Sequence, residues 1–335
     1  MRVEELDYDL PEELIAQTPL VDRSESRLLH LDRSTGFIEH RRFQSILEIF
    51  QPGDLLVMND TRVTARRLLG HRETGGKVEA LLLEPIGNGS FAALIKPASR
   101  IKLGERLIFG PDLSGFLESR QGEGRCKLRF ESHDLDKSLK MFGEVPLPPY
   151  VRTKLTDEDR YQTVYAHSPG SAAAPTAGLH FTRELLEQLT NRGVLTARVT
   201  LDVSTDTFRP IKMSNVADHQ MHGEHCSVPI ETAEAIRVCK GRIIAVGTTT
   251  VRTLESRSLG KRLVEPGSSS TSLFICPGYE FKVVDGMLTN FHMPRTTMLL
   301  MIAAMANMNS IKLAYTEAVT NRYRFLSFGD SMLIL

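Results

Sequence analysis

A block of short β-like runs interrupts the chain between residues 62 and 150. Glycine-containing turns separate its runs KVEALLLE, SFAALIK, ERLIFG, GFLES and GRCKLRF, and this spacing predicts a small barrel or sandwich. On both sides, apolar strands alternate with helical patterns, which predicts an α/β fold. A chain of 335 residues has the length of about two domains. We therefore expect a discontinuous α/β core, residues 1–61 and 151–335, with an inserted domain at residues 62–150.

The inserted block is more basic than the rest of the chain. Over the whole sequence 41 Lys and Arg balance 41 Asp and Glu, whereas residues 62–150 carry 15 basic against 11 acidic side chains. The excess lies between Arg62 and Arg106, so this part of the block is a candidate surface for a phosphate backbone. The alternative is a solvated polar face on a small β domain.

Several function classes are disfavoured by the sequence. The longest apolar run, Met298 to Ala306, is shorter than the ~20 residues of a membrane span, and the acidic start MRVEELDYDL does not resemble a signal peptide. The four cysteines include no C-x-x-C pair, which suits reduced thiols. We expect a cytoplasmic protein without a membrane segment.

Two buried strands are followed directly by polar residues. The run DLLVMNDTRV places Asp60 and Arg62 just after an apolar strand, where α/β proteins position ligand contacts. The run IIAVGTTTVR is a strand, a glycine and a helix start, so hydroxyls, free amides and a cation converge there. Phosphate, carboxylate and ribose all remain open as its ligand, and the alternative is an ordinary helix cap. The residues concerned are Thr248, Thr249, Thr250 and Arg252.

Histidines mark three further segments. The run HSPGSAAAPTAGLHFT contains Thr176 and His180 among small residues, which fits either a flat ligand or a tight structural crossover. His219, His222 and His225 diverge on a helix and make a poor metal site, although His222 and Glu224 suit proton transfer as well as a polar surface. In TNFHMPRTT, Asn290, His292 and Arg295 could line the cleft beside Arg252, but a lone histidine is often structural.

The collected strings resemble one family. In chain order these are DLLVMNDTRV, PLPPYV, RYQTVYAHSPGSAAAPTAGLHFT, AVGTTTVRTLES, PGYEFKVVDGMLTNFHMPRTT and YRFLSFGDSMLIL, and they are similar to the S-adenosylmethionine:tRNA ribosyltransferase-isomerases of the queuosine pathway. The resemblance implies a mixed-sheet α/β/α core with an inserted small antiparallel β-barrel. It also implies transfer and isomerisation of the ribosyl group of S-adenosylmethionine onto 7-aminomethyl-7-deazaguanine at the tRNA wobble position, with release of adenine and methionine.

The resemblance also implies roles for individual residues. S-adenosylmethionine would be a consumed cosubstrate, and we expect no bound cofactor, no metal and a monomer. A base must remove a proton beside the sulfonium, and donors must stabilise the departing adenine. Candidates for proton transfer are His180, His222, Glu224 and His292. Candidates for substrate binding are Asp60, Arg62, Thr176, Thr248, Thr249, Thr250, Arg252, Asn290 and Arg295. Candidates for tRNA binding are Arg66, Arg67, Arg100 and Lys102.

The sequence departs from the family pattern at a few positions. The family's T-L-H-V-G-x-G-T-F strand has Asp202, Ser204 and Asp206 here in place of a histidine and two glycines. Ser269-Ser270 replaces Gly-Trp, and His225-Cys226 replaces Phe-Tyr. These changes motivate an alternative, a diverged and catalytically impaired paralogue that binds RNA or a nucleoside. A metal-dependent hydrolase that uses the histidines at 219–225 is a third, less favoured class.

Overall fold

The computed structural model describes residues 1–122, 124–203, 211, 213–221 and 223–335. These residues form two compact units. The first comprises Met1–Arg62, Pro148–Ser168 and Ala174–Leu335, and the second comprises Val63–Leu147 and Pro169–Ala173. The short stretch Pro169–Ala173 thus groups with the second unit, although the sequence interpretation includes it in the core.

The secondary structure alternates as the sequence pattern indicates. The strands are β1 (Arg27–Leu31), β2 (Ile38–Arg42), β3 (Leu55–Asn59), β4 (Thr61–Val63), β5 (Arg66–Arg72), β6 (Lys77–Gly87), β7 (Ser90–Lys96), β8 (Arg106–Gly110), β9 (Leu113–Gly122), β10 (Arg125–Glu131), β11 (Gly143–Glu144), β12 (Ser168–Ser171), β13 (Leu195–Leu201), β14 (Glu224–Val228), β15 (Ile243–Val246), β16 (Ser258–Gly260), β17 (Leu263–Val264), β18 (Gly267–Thr271), β19 (Gly286–Asn290) and β20 (Ser331–Ile334). The α-helices are α1 (Ile46–Ile49), α2 (Leu135–Phe142), α3 (Arg183–Asn191), α4 (Ile230–Val238), α5 (Thr248–Ser256), α6 (Thr297–Ala306) and α7 (Met308–Thr320). Short 3₁₀ turns lie at Val3–Leu6, Glu12–Leu14, Arg23–Glu25, Phe43–Ser45, Ala98–Arg100, Glu158–Tyr161, Thr176–His180 and Val216–Asp218.

A nine-stranded mixed sheet forms the centre of the first unit, in the order β18-β14-β13-β3-β15-β19-β20-β1-β2. Its middle strands β13, β3, β15 and β19 are parallel to one another. The run of continuous apolar residues in β3 is explained by burial on both faces, because Leu55 and Val57 pack on one side and Leu56 and Met58 on the other. Helices α4 to α7 pack on the side of Leu55 and Val57. Helices α1 and α3 pack on the side of Leu56 and Met58. The sheet therefore lies between two helical layers.

The helix boundaries follow from local chemistry. Thr182 begins α3 and accepts a hydrogen bond from the amide of Leu185 at 3.1 Å, while Thr296 begins α6 and accepts one from Leu299 at 3.4 Å. These side chains satisfy amides that have no partner inside the helix. Among the described residues, no single helix is long and apolar enough to span a membrane, although α6 and α7 taken together, bent by 114°, pass that test by length and composition.

A closed antiparallel barrel forms most of the second unit. Strands β5, β6, β7, β10, β9 and β8 pair in that cyclic order, and closure comes from the pairing of β5 with β8, where His71 lies opposite Ile108. The closing seam requires Gly70, because a Cβ there would lie 2.2 Å from the carbonyl oxygen of Ile108. The predicted fold class, a mixed-sheet α/β core together with a small antiparallel β-barrel, is confirmed.

Candidate active site

A pocket opens at the carboxyl edge of the parallel strands in the first unit. Strands β13, β3, β15 and β19 end at this edge because they run in the same direction, which is where open α/β sheets bind ligands. This central pocket contains about 580 Å³ of space not filled by protein atoms, its open mouth included. It is lined by Tyr150, Ala174, Pro175, Thr176, Ala177, Val203, Gly247, Thr248, Thr249, Thr289, Asn290, Phe291, His292, Met293, Met298, Leu326 and Ser327.

The turn between β15 and α5 supplies one wall of the central pocket. Gly247 adopts a φ of 86°, a conformation that favours glycine, and so turns the chain directly from strand into helix. Thr248 and Thr249 follow in the first helical turn and line the pocket. Thr250, also predicted to bind substrate, does not line it, since its hydroxyl donates to the carbonyl of Val246 at 2.7 Å.

Asn290 at the end of β19 and the residues after it supply another part of the lining, and His292 is the titratable group there. The Nε2 atom of His292 lies 2.8 Å from the Thr289 hydroxyl, and the side chain is buried. Burial lowers the pKa of His292 to about 3, so the imidazole is neutral near pH 7 and keeps an unprotonated ring nitrogen. Of the proposed proton-transfer residues, His292 is the one among the described residues that lines the central pocket.

His180 has a structural place behind the central pocket rather than in it. Its Nδ1 lies 2.8 Å from the Ser26 hydroxyl and its Nε2 lies 3.1 Å from Nδ2 of Asn290, so both ring nitrogens are occupied. Burial, followed by the charges of Arg23 and Arg324, lowers the pKa of His180 to about 3. Proton transfer by His180 stays a prediction; its ring nitrogens contact Ser26 and Asn290, and the side chain also lines a small pocket with Arg23 and Ser327.

Asn290 is fixed in one amide orientation. Its Nδ2 donates to the carbonyl of Leu326 at 3.2 Å and bonds to Nε2 of His180 at 3.1 Å. Flipping the amide would place its oxygen against the Leu326 carbonyl, and two acceptors repel. The Oδ1 atom is buried without a hydrogen-bond partner among the described residues. A buried acceptor left unpaired costs about 1–3 kcal/mol, so a ligand that donates a hydrogen bond would recover this energy.

A second, smaller pocket adjoins the central pocket on the far side of Thr248 and Thr249. This side pocket is lined by Met221, Thr248, Thr249, Arg252, Leu273, Phe274, Ile275, Thr297, Met298 and Met301. Arg252 is 6% exposed and forms an ion pair with Glu224. Glu224 lies outside the lining of both pockets and pairs with Arg252, which favours a role in positioning that cation; its role in proton transfer stays a prediction.

Other predicted substrate residues are not brought to either pocket. Asp60 is buried and its Oδ1 accepts a hydrogen bond from Thr200 at 2.7 Å, whereas Arg62 is exposed. Arg295 is exposed and pairs with Asp7. Its backbone has a positive φ of 58°, so the chain turns there before α6 and does not continue the direction of β19. Thr176 does line the central pocket. His222 lies outside the described residues.

Asp202, one of the departures from the family pattern, has polar partners in the structure. Asp202 accepts a hydrogen bond from the Thr61 hydroxyl at 3.0 Å, and its Oδ2 lies 3.4 Å from Nδ1 of His225 on the neighbouring strand β14. A carboxylate at this position therefore has a hydroxyl donor and an imidazole neighbour. Ser204 and Asp206 lie outside the described residues. No group of three or more His, Cys, Asp and Glu side chains among the residues described could hold a metal ion.

The predicted tRNA-binding cations of the barrel differ in exposure. Arg67 is half-buried and its Nη2 lies 3.4 Å from the Glu144 carboxylate, and Arg66 is also half-buried. Arg100 and Lys102 are exposed. A half-buried cation with a carboxylate partner is less available to a phosphate than an exposed one. Arg100 and Lys102 therefore fit the predicted role better than Arg66 and Arg67.

Sequence reasoning missed part of the central pocket. Tyr150 and Ser327 line it, and their hydroxyls lie 2.7 Å apart although 177 residues separate them in the chain. The strings PLPPYV and YRFLSFGDS contain these residues and carry the family resemblance, so that signal was available. Nothing in either string shows that the two hydroxyls meet.

The central pocket lies at the carboxyl edge of parallel strands and is lined by hydroxyl, amide and imidazole groups. Pockets of this kind are typical of the α/β proteins that bind a small polar ligand. The sequence profile described as "Queuosine biosynthesis protein" matches residues 3–334, and the chain belongs to this family. Relatives named S-adenosylmethionine:tRNA ribosyltransferase-isomerase, from Staphylococcus aureus strains JH9 and Mu3, are 50% identical over 343 residues, with 100% of this chain and of theirs covered. A crystal structure of an S-adenosylmethionine tRNA ribosyltransferase from Thermotoga maritima is 40% identical, covers 99% of this chain and 100% of that chain, and has a TM-score of 0.57.

Proposed function

We propose that this protein is an S-adenosylmethionine:tRNA ribosyltransferase-isomerase. It transfers and isomerises the ribosyl group of S-adenosylmethionine onto 7-aminomethyl-7-deazaguanine in tRNA, with release of adenine and methionine. The observation that carries the proposal is the 50% identity to relatives of that name over 100% of both chains. The central pocket adds physical support, because its hydroxyls, amide and neutral imidazole suit a nucleoside better than a metal or a nucleotide triphosphate.

His292 is the proposed proton acceptor for this reaction. A carbon beside a sulfonium is acidified by the adjacent positive charge, and a base in the pocket must take its proton. His292 is neutral at working pH, since burial lowers its pKa to about 3. Proton transfer turns the sulfonium cation and neutral imidazole into a neutral ylide and an imidazolium. One positive charge is buried before the proton transfer and one after it. Protonating His292 therefore adds no buried charge, because the sulfonium charge is lost in the same step.

The barrel is the proposed contact for the tRNA backbone. Arg100 and Lys102 are exposed on it, and cations of this kind neutralise phosphates. Other barrel cations are already neutralised within the unit, since Lys127 and Arg129 both contact Glu118, at 3.0 and 3.3 Å. The barrel therefore offers an exposed pair of cations, Arg100 and Lys102, and an ion-paired pair, Lys127 and Arg129, for comparison.

The pure protein is expected to release adenine only when both substrates are present. The reaction needs S-adenosylmethionine and tRNA carrying the aminomethyl-deazaguanine, because the first supplies the ribosyl group and the second accepts it. Adenine would be measured by chromatography, and incorporation of ribose carbon from labelled S-adenosylmethionine into tRNA would be measured in parallel. Omitting either substrate is the control. Absence of adenine while the tRNA is still bound would favour the catalytically impaired, RNA-binding alternative.

Replacing both Arg100 and Lys102 by alanine is expected to weaken tRNA binding at every salt concentration. Each lost phosphate contact lowers the slope of log affinity against log salt by about 0.9, so the double variant should lose up to about 2. Filter binding at several salt concentrations measures both quantities. The control is the Lys127→Ala, Arg129→Ala double variant, which removes cations already paired with Glu118. Equal loss in both double variants would argue against this docking surface.

A further inference from the structure

Three arginine side chains gather around residues 18–23, the segment that precedes β1. Arg23 belongs to this segment, and Arg160 and Arg324 reach it from later parts of the first unit. All three guanidinium groups donate to main-chain carbonyl oxygens, as Arg160 does to Val21 at 3.1 Å. Among the described residues, no Asp or Glu side chain forms an ion pair with any of the three. Three positive charges are therefore gathered here without a paired counter-charge.

Two of these cations, Arg23 and Arg160, line one small pocket, which we name the arginine pocket. Its other polar side chains are Ser26, His180 and Ser327, and no Asp or Glu occurs among its described lining residues. The arginine pocket contains about 300 Å³ of space not filled by protein atoms, its open mouth included. This volume is at the lower end of the range for small-molecule sites, so a small anionic group can enter.

Burial makes the missing counter-charge costly. The Nε atom of Arg160 and the Nη1 atom of Arg324 are buried and have no hydrogen-bond partner among the described residues. Burial, followed by the charge of Arg160, lowers the pKa of Arg23, although Asp157 and Asp159 act in the opposite direction. A bound anion would give acceptors to the unpaired N–H groups and would reduce the repulsion between the cations.

The position of the arginine pocket indicates which anion it meets. Ser327 lines both the arginine pocket and the central pocket, so the two adjoin each other. His180 lines the arginine pocket and lies 3.1 Å from Nδ2 of Asn290, which lines the central pocket. A nucleotide in a polynucleotide has a phosphate on each side of it, and guanidinium groups match phosphate oxygens in geometry. A backbone phosphate beside a nucleotide at the central pocket is therefore within reach of this site.

We propose that the arginine pocket binds a phosphate group and that the backbone of the tRNA supplies it. The inference rests on the proposed function, in which the nucleotide to be modified must reach the central pocket. Arg23 and Arg160 contact the phosphate next to that nucleotide. This contact fixes the position of the RNA strand rather than its sequence, because a phosphate carries no information about the base. The site is distinct from Arg100 and Lys102, which belong to the second unit.

A set of stem-loop RNAs, each with one neutral linkage, tests the proposal without altering the protein. Every RNA carries the aminomethyl-deazaguanine in its loop and a methylphosphonate in place of a single loop phosphate. In filter binding, a neutral linkage beside the modified nucleotide should weaken the RNA about tenfold or more, because a hydrogen-bonded charge is lost. Neutral linkages elsewhere in the loop should have smaller effects. Equal affinity for all of these RNAs would overturn the proposal.

Arg160→Gln should remove the sensitivity to that one linkage. The variant loses the guanidinium charge, so it should bind the all-phosphate RNA about tenfold more weakly, with the salt slope reduced by about 0.7. The neutral linkage beside the modified nucleotide should then change its affinity by less than about twofold. Arg160→Lys keeps the charge and should retain the sensitivity. Arg192→Gln is the matched control, because exposed Arg192 also donates to a carbonyl, that of Leu47 at 2.7 Å, but lines none of the three pockets.

Inorganic phosphate, measured by titration calorimetry, distinguishes the two sources of the anion. If Arg160→Gln weakens inorganic phosphate while every neutral linkage is tolerated, the pocket binds a free phosphate compound and the assignment to RNA is wrong. If neither RNA nor inorganic phosphate depends on Arg160, the whole proposal is overturned.

Adenine release separates this inference from the proposed function. If the unaltered protein releases adenine but no linkage depends on Arg160, the proposed function stands and only the arginine pocket is wrongly assigned. If it releases no adenine but one linkage depends on Arg160, the RNA contact stands and the transferase activity fails.

Discussion

His292→Gln is expected to lower the rate of adenine release by about 10²–10⁴-fold, the range that a positioned proton-transfer group contributes. The imidazole lines the central pocket and is neutral near pH 7, because burial lowers its pKa to about 3. Glutamine retains a polar side chain that can bond to the Thr289 hydroxyl but cannot take up a proton. The loss should therefore fall on kcat, measured at saturating S-adenosylmethionine and tRNA.

His180→Gln is the matched comparison for His292→Gln. Both histidines are buried and have a pKa lowered to about 3, but His180 bonds to Ser26 and Asn290 instead of lining the central pocket. Loss of one neutral hydrogen bond is worth about 1 kcal/mol, so His180→Gln should reduce the rate only about fivefold, mainly through KM. A smaller effect of His292→Gln than of His180→Gln would assign proton transfer to another residue.

Much of the fold could be predicted because it is specified locally. The apolar run of β3 and the glycine-punctuated runs of residues 62–150 indicate buried strands and a small barrel from short stretches of sequence. The turn AVGTTTVR was also recognisable, since Gly247 and the threonines after it have a direct local role in turning strand into helix. These features depend on neighbours a few residues apart.

The site was harder to predict because its contacts join distant parts of the chain. His180 meets Ser26 across 154 residues and Asn290 across 110, and nothing near His180 in the sequence indicates that both of its ring nitrogens have these partners. Arg67 meets Glu144 across 77 residues, which reduces its availability to phosphate. By contrast, Arg295 follows His292 closely in sequence but pairs with Asp7. Proximity in sequence was therefore a poor guide to proximity in the pocket.

The buried pair of Arg252 and Glu224 illustrates how such a long-range contact affects stability. The side chains are 7% and 3% exposed, so each depends on the other to compensate for its lost hydration. The pair joins α5 to β14, and Arg252 also bonds to the carbonyl of Thr271 at 3.4 Å. Removing one partner leaves a buried charge, whereas removing both leaves none. This difference predicts a strong energetic coupling between the two positions.

Arg252→Met is therefore expected to lower the free energy of unfolding by about 3–5 kcal/mol, because Glu224 is left charged and buried. Adding Glu224→Gln should recover most of that loss, to within about 1 kcal/mol of the unaltered protein, since the double variant buries no charge. Urea denaturation at pH 7 measures all four proteins of this cycle. Strictly additive single effects would contradict the coupling.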